Sequence, residues 1–378
     1  MASSSSSSGE KGHSSAQQQQ QQLRGKTVIV TGSNCGIGLE TAAELARRGA
    51  SVILACRSVE RANDAMEEIH RRQADADVMA MKLDLGSQSS VREFAKSFKA
   101  LRKPLHVLVN NAGANFRSES RTEGGVGISA QVNFLGPYTL TRLLRDELVA
   151  GAPSKVVNVS SIMHRMGSIR DARAFLREPK QGRYDNCKLG NVLFTVELNK
   201  RWNKDGVEAA AVDPGAVNSN IWRNSAFSRP PLKWGLQLLF APPSDGASAV
   251  IHAATTCPSE PHQRAHAAEP RPGDSSSDED QDYRRNVAEN TPVRLFAEGA
   301  FASKLVTGLP SSKWMSAAQP ALYLAAAAVD WPVRMVTGKR VFGKVYEVQP
   351  NPAAYDASLT ASLWECAAEM AGLPPNDE

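Results

Sequence analysis

Residues 31–38 read Thr31-Gly32-Ser33-Asn34-Cys35-Gly36-Ile37-Gly38, and what flanks them decides the fold. Before them stands Thr27-Val28-Ile29-Val30, a short β-branched run that reads as a buried strand. After them comes Leu39-Glu-Thr-Ala-Ala-Glu-Leu-Ala-Arg-Arg48, an amphipathic helical pattern. Strand, glycine turn and helix are therefore in order. Glycines let the chain turn tightly and let backbone N–H groups approach a phosphate, whose charge is favoured at the positive end of the helix. A plain strand-to-helix turn is the competing reading of three glycines alone, and the flanking elements weigh against it.

Working outward, β-branched runs recur at Ser51 to Ala55, Val78 to Leu83, Leu105 to Asn110, Lys155 to Val159 and Val207 to Val212. Amphipathic stretches separate them, among them Glu40 to Arg48, Val59 to Arg72 and Val91 to Leu101. This β-α-β alternation predicts an α/β fold, a doubly wound, Rossmann-like parallel sheet covered by helices on both faces. The pattern stops after Thr256, and residues 257–290 are rich in Pro, Ser, His, Glu and Asp, including Asp274-Ser-Ser-Ser-Asp-Glu-Asp280. Such a segment lacks the apolar content to order itself and reads as a disordered insertion. Apolar order resumes at Val293 to Leu305. A last strand candidate, Arg340 to Val348, precedes a helix near Ser358 to Ala371. The expected organisation is a disordered Ser/Gln-rich tail over 1–24, a dinucleotide-binding catalytic domain over 25–256, the insertion, and a part over 291–373 that completes the same domain.

Composition narrows the function classes. The net charge of +5, from 44 Lys and Arg against 39 Asp and Glu, is spread without a long basic block, so nucleic acid is not an expected partner. The five cysteines are widely spaced with no C-x-x-C pair, which fits a reducing, cytoplasmic setting. No uncharged apolar run approaches the roughly 18 residues that cross a bilayer. The tail has no apolar stretch that could serve as a secretory signal; its serine richness leaves an organellar address open. His262-x-x-x-His266 has a metal-like spacing, but it falls in the insertion without a second cysteine, and no metal site is expected.

The second strand ends in Ala55-Cys56-Arg57-Ser58. Roughly 20 residues past the glycines, a carboxylate would bond the ribose hydroxyls of NAD, whereas an arginine accommodates the 2′-phosphate of NADP. Arg57 with no carboxylate beside it favours NADP(H) over NAD(H), the alternative being a solvated arginine opening a helix. Tyr184-Asp185-Asn186-Cys187-Lys188 opens a long helical pattern that sets Tyr184 and Lys188 on one face. An ammonium near a phenol favours the phenolate and makes it useful for proton transfer.

The spacing G-x-x-x-G-x-G, Asn110-Asn111-Ala112-Gly113 after the fourth strand and Y-x-x-x-K after Lys155-Val-Val-Asn-Val-Ser160-Ser161 together resemble the short-chain dehydrogenase/reductase family. The long gap from Ser161 to Tyr184, with Asn191-Val-Leu-Phe-Thr-Val-Glu-Leu198, resembles its retinol-dehydrogenase-like branch. Asn218-Ser-Asn-Ile-Trp222 and Ala241-Pro-Pro-Ser-Asp-Gly246 are similar to plant oxidoreductases of the Forever Young type. The resemblance implies hydride transfer between a nicotinamide and a carbonyl or alcohol. Tyr184 would be the proton donor or acceptor, and Lys188 would lower its pKa and hold the nicotinamide ribose. Ser161 would bond the substrate oxygen, and Asn133, in Gln131-Val-Asn-Phe-Leu-Gly136, would support the lysine through a water. Ser160 is the packing partner by the same match. The implied cofactor contacts are Gly32, Ser33, Asn34, Gly36, Ile37, Gly38, Arg57, Asn110, Ala112, Gly113, Tyr184 and Lys188. Pro214, Gly215, Val217 and Ser219 of Asp213-Pro-Gly-Ala-Val-Asn-Ser219 would lie beside the nicotinamide. Asp84 matches the family's acid near the adenine, and reads equally as an acid opening a helix.

The stretch after Pro214, with Trp222, Phe227, Trp234 and Phe240, could wall an apolar pocket or pack as ordinary core. The substrate expected is a small lipophilic molecule, and a homo-oligomer is compatible with the sequence. A rival function is a catalytically silent nucleotide-binding scaffold on the same fold. The complete Asn, Ser, Tyr and Lys set weighs against it.

Overall fold

The computed structural model describes residues 22–116, 120–215, 217, 241–256 and 350–376, together with the backbone of 294–298 and 345–347. Strands β1 (Thr27–Thr31), β2 (Ser51–Cys56), β3 (Val78–Lys82), β4 (Val107–Asn110), β5 (Ser154–Val159) and β6 (Val207–Asp213) form a parallel sheet. It continues through β7 (Arg294–Glu298), also parallel, to β8 (Val345–Glu347), which runs antiparallel at the edge. The strand order is β3-β2-β1-β4-β5-β6-β7-β8. The chain winds outward from β1 to β3, then returns across β1 to β4, so its direction of winding reverses between β1 and β4. In open α/β sheets ligands bind outside the carboxyl ends of the strands at such a point.

Both faces are covered, which explains why the strands read as continuous apolar runs. Along β1, Val28 and Val30 face one core and Ile29 the other; Val52 and Leu54 against Ile53 repeat this in β2, as do Val107 and Val109 against Leu108 in β4. One face carries helices α1 (Gly36–Arg47) and α2 (Val59–Arg72). The other carries α3 (Gln88–Ala100), α4 (Gly136–Leu143) and, further along the chain, a long central helix. Helix starts follow their caps: Ser58 accepts from Arg61 N at 3.2 Å and Ser87 from Ser90 N at 3.3 Å. A five-residue π turn, Gln131–Leu135, leads directly into α4.

Past α5 (Arg145–Ala150) and the short α6 (Ala172–Arg177) lies the central helix α7 (Tyr184–Trp202), buried on all sides from Asp185 to Asn199. Helix α8 (Pro243–Thr255) packs on α1, and α9 (Ala357–Ala371) packs on α7. Trp364 of α9 sits edge-on to Tyr138 and Trp202, with the guanidinium carbons of Arg142 and Arg201 at 4.6 and 4.7 Å from its ring centre. This cover is what buries α7 on its outer side as well.

The folded body starts before residue 25, because Leu23 is buried and its N–H bonds Arg48 O at 2.9 Å. Residues 1–21 and the whole of 257–290 lie outside the described residues, as do Trp222, Phe227, Trp234 and Phe240. Among the described residues no helix is long and apolar enough to cross a membrane.

Candidate active site

The sequence-predicted residues gather at the carboxyl ends of β1, β2, β4, β5 and β6. At the end of β1 the glycine turn is locked to the segment after β4. Thr31 Oγ1 accepts from Asn111 N and Ala112 N, each at 3.0 Å. Asn111 Nδ2 donates to Thr31 O at 2.8 Å and Gly32 O at 3.3 Å. Gly32 has φ +64°, and a Cβ there would meet Ala112 at 2.9 Å; a Cβ on Gly38 would lie 2.5 Å from both Asn111 Nδ2 and Gly32 O. A Cβ on Gly36 would meet nothing within 4 Å, so this part of the turn faces open space.

Helix α1 begins there with no side-chain cap and no acid in its first turn. Its first N–H groups and its positive end are thus available to an anion. Ser33 is buried, its hydroxyl donating to Val30 O at 2.9 Å, while Asn34, Gly36 and Ile37 are partly exposed. Arg57, at the end of β2, is exposed and has no hydrogen bond or ion pair among the described residues. These features fit a phosphate-bearing cofactor.

Two expected contacts sit differently from the plain reading. Asn110 turns its side chain into the core, donating to Asn158 Oδ1 at 2.8 Å and Thr141 Oγ1 at 3.0 Å. Its neighbour Asn111 holds the glycine turn, a role the N-N-A-G motif carries in its second residue. Asp84 does not cap α3, since Ser87 does; its Oδ1 accepts from Gly86 N at 2.9 Å.

The other end of the site joins β5, β6 and α7. Ser160 donates to Lys188 O at 2.8 Å, as a packing residue would. Ser161 is partly exposed, accepts from Met163 N at 3.3 Å and lies close enough to the Tyr184 phenol to favour its ionised form. Lys188 is buried, with Nζ 5.3 Å from the Tyr184 ring centre and donating to Val159 O at 2.7 Å. A Cβ on Gly113 would lie 3.2 Å from Asn133 Oδ1 and 3.5 Å from Lys188 Nζ, so the segment after β4 reaches this end too. Asn133 lies in the π turn and is saturated: it donates to Ala114 O and Ser129 O at 2.9 Å and accepts from Ala114 N at 2.8 Å. Such turns recur at functional sites.

Burial governs the charges here. It lowers Lys188 to about 8, raises Tyr184 above the usual phenol range with help from the Asp213 charge, and raises Cys187 to about 12. Burial comes first among the causes of the Tyr184 shift, followed by the Asp213 and Cys187 charges, and Lys188 Nζ is turned to Val159 O. Cys187 is a packed thiol. His164, whose Nδ1 lies 2.6 Å from Ser161 O, is pushed by burial to about 4 and stays neutral.

Asp213, absent from the sequence-based site, is buried at the end of β6 and raised by burial to about 6. Pro214 and Gly215 follow it partly exposed; Val217 is buried and pairs with Ala241. A Cβ on Gly246 would lie 2.5 Å from Val217 Cγ2, which ties the start of α8 to this segment. Ser219 lies outside the described residues, as does His262-x-x-x-His266. Among the described residues no group of three or more His, Cys, Asp or Glu is placed to hold a metal ion.

Comparison with known proteins agrees with this geometry. The short chain dehydrogenase family matches residues 26–228. Human retinol dehydrogenase 11 is 43% identical over 238 residues, which cover 62% of this chain and 74% of that protein. A solved structure of an uncharacterised Mycobacterium paratuberculosis protein shares the fold with a TM-score of 0.59 at 24% identity, over 94% of this chain and 96% of that one. The Pseudomonas aeruginosa RhlG/NADP active-site complex does so with a TM-score of 0.52 at 22% identity, over 63% of this chain and 92% of that one. The chain belongs to the short-chain dehydrogenase family of oxidoreductases.

Proposed function

We propose that this chain is an NADP(H)-dependent oxidoreductase that interconverts a lipophilic carbonyl compound and its alcohol, with Tyr184 as general acid and base. The observation that supports it most is the convergence of Ser161, Tyr184 and Lys188 at one end of a cradle whose other end carries the open glycine turn and the exposed Arg57. Bound there, the nicotinamide supplies or accepts the hydride. The α1 N–H groups and the glycine turn hold the pyrophosphate, and Arg57 holds the 2′-phosphate. Asp84 and the segment from Asn110 to Gly113 flank the adenosine half. Pro214, Gly215, Val217 and Ser219 flank the nicotinamide.

Ser161 orients the substrate oxygen towards the Tyr184 hydroxyl. A neutral phenol gives its proton to that oxygen in carbonyl reduction and, as the phenolate, takes it back in alcohol oxidation. The adjacent ammonium, still mostly protonated at neutral pH, steadies the phenolate that results. A lipophilic substrate is in keeping with the retinol dehydrogenase relatives, and the plant Forever Young type is the finer placement we favour. In this reading 23–256 and 291–373 make one catalytic domain, with the residues before Leu23 as a tail and 257–290 as an insertion, and the protein works in the cytoplasm.

The test is NADPH oxidation by the purified protein with retinoid, steroid and aliphatic carbonyls. Turnover of at least one, falling by about 10² or more in Tyr184→Phe with NADPH affinity retained, is the expected result. A protein that binds NADPH and reduces none of them would instead be the nucleotide-binding scaffold.

A further inference from the structure

We propose that Asn351 is a positioning residue of this site: its side-chain amide clamps the turn that follows Ser161, so that a segment from the far end of the chain fixes where the serine hydroxyl stands. The inference rests on the oxidoreductase reading above and adds to it a residue distant in sequence from the serine, the tyrosine and the lysine.

The 3₁₀ turn Ile162–Met166 starts at Ser161 and sets its position. Ser161 Oγ accepts from Met163 N at 3.3 Å, and Ser161 O accepts from His164 N at 2.9 Å and lies 2.6 Å from His164 Nδ1. A carbonyl has no proton to give, so Nδ1 carries the hydrogen and the buried imidazole braces the serine from within. These bonds close the first half of the turn. The second half is closed from outside. Asn351 Nδ2 lies 3.2 Å from His164 O and 3.4 Å from both Arg165 O and Gly167 O, so the two hydrogens of one amide are shared among three carbonyls.

The clamp is itself held. Asn351 Oδ1 accepts from Ala353 N at 2.9 Å and so caps the 3₁₀ turn Pro352–Tyr355, whose Ala354 is buried in the same core as α7. The serine turn is also fastened to α7, because Asn186 Oδ1 accepts from Ser168 N at 2.7 Å. A Cβ on Gly167 would lie 2.8 Å from Leu189 Cβ and 2.9 Å from Asp185 O, so turn and helix are in close contact. Asp185 and Leu189 follow Tyr184 and Lys188 by one residue each. The turn that carries Ser161 is therefore held by the helix that carries the other two groups and by Asn351. Such a hold matters because a misplacement of about 1 Å at a reacting site can cost about 10²-fold in rate.

The experiment uses Asn351→Ser, whose hydroxyl can still cap the 3₁₀ turn but is too short to reach the three carbonyls. In the full-length protein without substrate, hydrogen exchange of the peptide covering 161–168 is read by mass spectrometry. It should quicken about tenfold, the scale of one lost hydrogen bond, while the peptide covering 27–38 is unchanged. In turnover, kcat for carbonyl reduction should fall about tenfold, with the NADPH Kd changed less than about threefold. Made in Ser161→Ala, the same Asn351→Ser change should cost less than about twofold, because the group it positions is gone. A merely structural residue would slow both backgrounds alike. Unchanged exchange over 161–168, an equal loss of kcat in the two backgrounds, or an Asn351→Ser protein that does not fold overturns the proposal. A wild type that reduces no carbonyl would sink the oxidoreductase reading, and the exchange measurement would still decide whether Asn351 clamps the turn.

Discussion

The two ends of the site are built from different materials. At the glycine turn, Thr31, Asn111 and Ser33 satisfy one another and the backbone through neutral hydrogen bonds, and Gly32 and Gly38 pack so closely that a methyl group has no room. The β5–β6 end is different: Lys188, Asp213, Tyr184, His164 and Arg165 are all displaced from their ordinary titration by burial. The first region is a preformed cradle whose cost is steric and settled during folding. The second holds groups that the fold would rather keep neutral, as sites selected for chemistry at the expense of stability do.

The sign of that cost can be worked out. Lys188 has a folded pKa lowered to about 8 from an ordinary value of 10.5, so its contribution to stability is full above the ordinary value and is lost as pH falls through about 8. Asp213, raised to about 6 from 3.8, contributes stability below its ordinary value and loses it as pH rises through about 6. Near pH 7 both penalties are in force. The largest expected effect follows: Lys188→Met should reduce turnover by about 10² or more while raising the thermal midpoint at pH 7. A gain of about 1 kcal/mol would appear as about 2–4 °C in a chain of this size, and it should shrink at about pH 9.5, where the wild-type lysine is already mostly neutral in the fold. Differential scanning calorimetry at the two pH values checks it. A midpoint that falls equally at both would mean that Lys188 holds the fold together and that the contrast between the two ends is wrong.

A smaller effect is expected at the cradle. Arg57→Ala should weaken NADPH by about 1.5–3 kcal/mol, the range for a hydrogen bond to a charged group, and leave NADH nearly unaffected because the 2′-phosphate is absent. Titration of cofactor fluorescence at fixed ionic strength separates the two. Equal losses would assign Arg57 to the fold and not to the phosphate.

What the sequence disclosed divides along the same line. The strands were legible because both sheet faces are buried, which makes each a continuous β-branched run; the glycine turn was legible because steric exclusion leaves a residue-type signature. Helix α1 starts at Gly36 and not near Glu40, since its first turn is made of glycines that read as loop. The strand Arg294–Glu298 was legible only as an apolar stretch, and the π turn at Asn133 has no periodicity of its own. Tyr184 and Lys188 were legible from their i, i+4 spacing, but the direction of their titration was not. Desolvation at α7 comes from the sheet, the 3₁₀ turn and α9, all distant in sequence. Asp213 stood in the quoted Asp-Pro-Gly and looked like the end of a strand, because nothing local says that Lys188 and Arg165 face it.

The most direct test of the whole account follows the hydride itself. Reduction of a lipophilic aldehyde with NADPH deuterated at the transferable nicotinamide position should give an alcohol carrying one deuterium at the former carbonyl carbon, read by mass spectrometry, with the label nearly absent when Tyr184→Phe is used. Alcohol formed without deuterium, or formed equally well by Tyr184→Phe, would contradict it.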